Sequence, residues 1–326
     1  MSATVTSIPT GYQHERAHCP NLLRSIWEAV HKIKPPAAPL FGQSIIMTAN
    51  LIALDSVTHI TDVHRGKPLY AASHGGVYAG YYAATKAIGG VILNDAGIGR
   101  EQAGIAGLGL LDELQVPAAA VSHRSCRIGD GADGLARGTL STINGTARAL
   151  GLSEAMPCAE ALNILAEANL KPAPAPPTQA EARFDDNAAG RDGVRVIITD
   201  SNSLVEPDDA GHIFVSASHG GLLGGRPETA VKYPVFAAVY SDADRGADDA
   251  GLSRLPALDD RGIAAACVSA FSARIGDGRS IYKDGYISAV NQTARKHGGA
   301  IGDSCQAFVA KMVDARLQQV SNRGSS

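Results

Sequence analysis

Val121-Ser-His-Arg-Ser-Cys-Arg-Ile-Gly-Asp-Gly131 returns later in the chain as Val268-Ser-Ala-Phe-Ser-Ala-Arg-Ile-Gly-Asp-Gly278. Both copies directly follow short apolar runs, Pro117-Ala-Ala-Ala-Val121 and Ile263-Ala-Ala-Ala-Cys-Val268, which read as buried strands. Upstream lies a second match, Ala72-Ser-His-Gly-Gly76 against Ala217-Ser-His-Gly-Gly221. Its offset is 219 − 74 = 145, and that of the later block is 277 − 130 = 147, a drift of two residues in the loops between them. Asp55-Ser56 pairs with Asp200-Ser201, Asn94-Asp-Ala96 with Ser241-Asp-Ala243, and Ala103-Gly104 with Ala250-Gly251. Gly138, Ser141, Asn144 and Cys158 pair in turn with Gly285, Ser288, Asn291 and Cys305. A period this long predicts a duplicated domain, not a solenoid.

Working outward, strands and helices alternate in each unit. Strands are expected to end near Leu54, Ala72, Leu93 and Val121, with helices over Tyr81–Ile88, Gln102–Leu114 and about Leu135–Ala149. The second unit repeats the order with strands ending near Thr199, Val215, Val239 and Val268, and a closing helix from about Gln306 to Gln319. Apolar runs without alternation predict parallel strands covered on both faces. The expected fold class is α/β, internally duplicated: two similar lobes, each a mainly parallel sheet flanked by helices in three layers, Rossmann- or flavodoxin-like. Residues 1–40 form an extension with one amphipathic helix over Asn21–Ile33, carrying the lone Trp27 and stopped by Pro35-Pro36. The lobes then span 41–170 and 194–326, joined by a Pro/Ala-rich, then charged, connector over 171–193.

At 326 residues the chain can bury two ordinary cores. Charge is near balance, 29 Lys and Arg against 32 Asp and Glu, with no basic run interleaved with aromatics, which argues against nucleic acid as a partner. There is no apolar stretch of membrane-spanning length and no basic-then-apolar leader, so a cytoplasmic protein without a membrane partner is expected. Five cysteines without CxxC spacing read as reduced thiols.

The repeated polar residues follow their strands on the carboxyl side, the edge where open parallel sheets bind ligands. His74 and His219, in Ser73-His-Gly-Gly76 and Ser218-His-Gly-Gly221, are the candidate acid/base groups, since an imidazole titrates near neutrality. Gly75, Gly76, Gly220 and Gly221 would let the backbone turn and expose N–H donors to a developing oxyanion. The competing reading is a histidine that merely caps a turn. Asp95 and Asp242 are candidates to orient the histidines or act as a general base, or else are N-caps of the helices that follow. Arg127 and Arg274, with Ser122, Ser125, Ser269 and Ser272 beside them, offer a planar fork for a substrate carboxylate, or else brace their loop through Asp130 and Asp277. The halves differ where His123, Arg124 and Cys126 stand against Ala270, Phe271 and Ala273, so Cys126, flanked by arginines, is a candidate thiolate nucleophile or else inert core. A strand-terminal Ser-His-Gly is similar to the histidine motif of caspase-like peptidases, but the strand that would carry their cysteine ends in Asn94-Asp95 and Ser241-Asp242, which excludes that identity. Asp and His grouped at one rim could hold a divalent metal, but no HxxxH or HxH spacing favours one and no dinucleotide or P-loop fingerprint occurs, so no cofactor is the leading expectation.

The resulting expectation is a small-molecule enzyme with its site between the lobes. An amidohydrolase-like hydrolase acting on an amide or cyclic amide of a small carboxylate leads; a proton-transfer isomerase or racemase and a non-catalytic small-anion binder are the alternatives. The partner is a small anionic or amide-containing substrate, and a homo-oligomer is also expected.

Overall fold

Each half folds around strands whose residues are apolar on both faces, because helices or loops cover both. In the computed structural model, which describes residues 51–324, the first half contains β1 (Ala53–Leu54), β2 (Pro68–His74), β3 (Gly90–Asn94), β4 (Ala118–Val121) and β5 (Leu140–Ile143), hydrogen-bonded in that order. β1 to β4 run parallel and β5 is antiparallel to β4. The second half contains β6 (Arg183–Asp185), β7 (Val196–Thr199), β8 (Ile213–His219), β9 (Ala237–Ser241), β10 (Ala264–Val268) and β11 (Ile287–Val290). Here β7 to β10 are parallel, and β6 and β11 pair antiparallel at the two edges. The expected helix over residues 21–33 lies outside the described residues.

Successive strand residues alternate between two cores. Leu69, Ala71, Val91, Leu93, Ala118 and Ala120 face one side, packed against the helices Val77–Thr85 and Gly107–Glu113. Tyr70, Ala72, Ile92, Ala119 and Val121 face the other, under the helix Cys158–Glu167. The second sheet is covered likewise, with Cys305–Gly324 as the long helix on one face. The architecture is α/β, two mostly parallel mixed sheets flanked by helices.

Three local expectations differ from the structure. The single helix expected over Leu135–Ala149 is a helix Gly131–Arg137, the strand β5 and a helix Gly145–Ala149. Gly138 makes the break: a Cβ there would sit 2.4 Å from the Gly134 carbonyl oxygen. The β-branched Thr142-Ile143 then extend along β4. The connector also contributes β6, whose Arg183 holds the buried Asp209 by two hydrogen bonds of 2.8 and 3.0 Å. Finally, both sheets keep their strands in sequential order, so neither has the reversal of order at which doubly wound sheets open their crevice.

The described residues 51–324 belong to one compact unit, and matched positions meet within it. Ala96 and Ala243, Ile128 and Ile275, and Ala103 and Ala250 share one small apolar cluster, each pair 147 apart (243 − 96, 275 − 128, 250 − 103). The backbone contacts are reciprocal: Arg100 N donates to Ala270 O at 2.8 Å, and Ala247 N to His123 O at 2.7 Å. Matched positions of the two halves thus make reciprocal contacts. No described helix is long and apolar enough to cross a membrane.

Candidate active site

Residues at the ends of β2 and β8 line a pocket of about 180 Å³. Its lining repeats itself: Ser73 with Ser218, His74 with His219, and Ser56 with Ser201, each pair 145 apart (218 − 73, 219 − 74, 201 − 56). The two Ser-His turns thus both contribute to the lining of one cavity.

The histidines are set by the glycines that follow them. Gly76 N donates to His74 Nδ1 at 3.2 Å, and Gly221 N to His219 Nδ1 at 3.1 Å. A Cβ at Gly76 would lie 2.7 Å from His74 Nδ1, and one at Gly221 2.9 Å from His219 Nδ1, so only glycine lets the ring fold back onto its own turn. Each ring also rests on the other half: Cε1 of His219 faces Gly129 and Cε1 of His74 faces Gly276, both glycines at positive φ in the shared Arg-Ile-Gly-Asp-Gly loops.

An imidazole that accepts at Nδ1 carries its proton on Nε2. Among the described residues no protein group accepts from either Nε2, and both histidines line the cavity. Burial pushes the His74 imidazole down to about 4. His219 falls well below its ordinary value through burial, with the nearby Arg254 and His74 adding to it. At neutral pH both rings are uncharged, N–H donors into the pocket and poor proton acceptors. The expectation of histidines titrating near neutrality is corrected on this point, because desolvation disfavours the imidazolium.

The glycine N–H groups are also spoken for. Gly75 N donates to Asn94 O at 2.8 Å and Gly220 N to Ser241 O at 2.7 Å, while Gly76 and Gly221 serve the histidines. None of the four is free to hold an oxyanion.

Other predicted residues are braces. Arg127 pairs with Asp130 and Asp133 at 3.1 and 3.0 Å, and Arg274 with Asp277 and Glu101 at 2.9 and 3.0 Å; neither lines the pocket. Ser125 Oγ donates to Ser122 O at 2.7 Å and Ser272 Oγ to Ser269 O at 2.8 Å, closing the same turn in each half. Asp95 and Asp242 form Asx turns, accepting from Gly97 N and Asp244 N, and they do not touch His74 or His219. Asp95 instead accepts from His123 Nδ1 at 2.7 Å, while His123 Nε2 lies 2.9 Å from Asp244 of the other half. Cys126 is fully buried beside Tyr70, and desolvation pushes its thiol up to about 11. That is the reverse of the lowered value expected from its flanking arginines, whose guanidinium groups are turned to carboxylates near the surface.

Three pocket residues escaped sequence reasoning. Arg254, 2% exposed, opens the helix Arg254–Asp259 and donates to the carbonyl oxygens of His219, Thr229 and Ala230 while lying over the Tyr240 ring. No carboxylate pairs with it and no protein group accepts from Nη2, among the described residues. Burial pushes its guanidinium down from its ordinary value. Glu181, from the connector, accepts from Tyr78 and Ser201, and burial, with Asp200 nearby, raises its carboxyl. Tyr78 is pushed up to about 12 by burial and by Glu181. The one available signal was at position 254, where a charged residue stands against Gly107 of the first half (254 − 107 = 147); Glu181 has no counterpart to compare.

Among the described residues no group of three His, Cys, Asp or Glu side chains is arranged to hold a metal ion. Comparison with known protein families, with curated proteins and with solved structures returns no match.

Proposed function

We propose that this protein is an enzyme acting on a small carbonyl- or carboxyl-bearing molecule held between its two halves, by proton transfer at the carbon next to that group. The observation that carries the reading is that His74 and His219, whose Nδ1 atoms already accept from backbone, line one cavity together with Glu181. In the proposed step the C–H bond breaks, its proton passes to Glu181, and its electron pair moves onto the carbonyl oxygen as an enolate. The two Nε2–H groups strengthen their hydrogen bonds as that charge develops, an arrangement that neutral imidazoles serve without losing a proton themselves. Return of the proton to the other face or a neighbouring atom completes an isomerisation.

Amide hydrolysis is the second reading, favoured by the hydroxyls around Glu181, which suit a carboxylate that activates water. A covalent route through Cys126 is not retained. We further read the halves as a duplicated α/β unit, Rossmann-like in its layers though not in its strand order; the matched offsets and the reciprocal contacts support this.

The test is proton NMR in deuterated water with a panel of α-amino acids, α-hydroxy acids and their amides. Loss of an α-hydrogen signal that disappears with Glu181→Gln is the expected result. Release of amine without exchange would replace isomerisation by hydrolysis, and neither change in any member would leave a binding protein.

A further inference from the structure

The pocket has two chemically opposite ends. At one, Arg254 is buried next to the His219 turn with three carbonyl partners and, among the described residues, no carboxylate and no acceptor on Nη2. At the other, Glu181 sits with Tyr78, Ser201 and Asp200, and neither acid pairs with Arg254. Asp200 is committed to backbone, accepting from Gly278 N at 2.8 Å and Ala182 N at 2.7 Å, so it supplies field there more than bonds.

A buried guanidinium without a counter-charge is costly, and the binding of an anion offsets that cost. Two carboxylates at the far end make a plain anion a poor match for the whole cavity, and favour a positive or N–H-rich group there. We propose that the ligand is a small bipolar molecule, a carboxylate at one end and an ammonium or comparable hydrogen-bond donor at the other. Its carboxylate lies on Arg254 Nη2 and the imidazole Nε2–H groups, and its donor end on Glu181. The matched position in the first half is Gly107, where a Cβ would lie 2.4 Å from Gly76 O, so a second arginine has no room and the ligand has one orientation. The cavity of about 180 Å³ suits a molecule of amino-acid size and not a nucleotide.

This inference rests on the pocket identified above but not on the reaction assigned to it, and its test reads binding alone. β-Alanine, propionate and propylammonium are titrated into the full chain at neutral pH, followed by saturation-transfer NMR and calorimetry. β-Alanine is expected to bind at least tenfold more tightly than either single-ended probe. Arg254→Gln should lower affinity for β-alanine and propionate alike, and Glu181→Gln for β-alanine and propylammonium only. Propylammonium binding as tightly as β-alanine, or no binding by any probe to the unmodified chain, overturns the proposal. Because Arg254→Gln could unfold the loop it braces, Arg254→Lys serves beside it: weaker carboxylate binding at an unchanged melting temperature supports recognition, and unchanged binding refutes it. Carboxylate binding with no reaction ever found would sink the enzyme reading alone, whereas Glu181-dependent exchange with Arg254-independent binding would sink this one alone.

Discussion

Gly107 and Arg254 occupy matched places in the two halves, each donating its backbone N–H to the carbonyl of the first glycine after the histidine, Gly75 and Gly220, at 2.8 Å. One is a glycine pressed on Gly76 O; the other carries a buried guanidinium that lines the pocket. The contrast teaches that matched residues build the frame, whereas unmatched ones give it direction. The Ser-His-Gly-Gly turns and the Arg-Ile-Gly-Asp-Gly loops are the same in both halves and hold backbone. Arg254, Glu181 and Tyr78 have no twins and set the polarity of the cavity.

The hardest way to break this comparison is to make the halves alike. Gly107→Arg is expected to cost more than about 4 kcal/mol or abolish folding, because the new Cβ meets a carbonyl that the helix cannot move away from. Arg254→Gly should cost only about 1–3 kcal/mol, the loss of hydrogen bonds to three carbonyls. Urea denaturation of both variants checks the asymmetry, and equal costs would refute it.

A second contrast lies at Asp95 and Asp242. Asp95 holds an imidazole and the Ser141 hydroxyl besides its turn, whereas Asp242 holds two backbone N–H groups. Asp95→Asn is therefore expected to cost about 2–4 kcal/mol and Asp242→Asn about 1 kcal/mol, measured in the same way.

The two kinds of histidine should give opposite pH dependences. His74 and His219 are kept uncharged when folded, so their contribution is full above the ordinary value of 6.5 and is lost as pH falls toward 4. For His74 the loss is about 3 kcal/mol at the acid end. His123 lies between Asp95 and Asp244, which outweigh its burial and raise its value. Its stabilisation is full below 6.5 and is lost as pH climbs through that raised value. Across about pH 4 to 8, His74→Asn should flatten the acid limb of the stability curve and His123→Ala the alkaline one. The reverse pattern would mean the rings have been assigned wrongly.

The smallest effect is expected at the arginines of the repeated loop. Arg127→Ala and Arg274→Ala, which remove part-exposed ion pairs, should each cost less than about 1 kcal/mol. Neither should change β-alanine affinity by more than about twofold, a difference below the tenfold per 1.4 kcal/mol that a lost charge contact would bring. A large loss would return these residues to the site.

Much of the frame was legible beforehand, because it rests on short-range chemistry. Apolar runs of four or five residues become strands wherever both faces are covered, and the glycines mark where a Cβ would strike a carbonyl. β5 and β11 were not legible, since a four-residue strand beside a glycine looks like the middle of a helix until its pairing partner is known. In the site, His74 and His219 stand out by repetition alone. Their state of charge does not, because it depends on desolvation by residues far away in the chain. For the same reason the two arginines that repetition singles out turn to surface carboxylates, and the one that lines the cavity is found only in three dimensions.

What the residues by themselves determined is the sequence of matched strand ends and the positions that tolerate only glycine, since those follow from local sterics and periodicity. Which side chains lose water and which keep a partner was decided by the tertiary structure. Burial and counter-charge are properties of the folded neighbourhood, and they set Arg254 and Glu181 in the lining of the pocket and left Cys126 in core packing outside it.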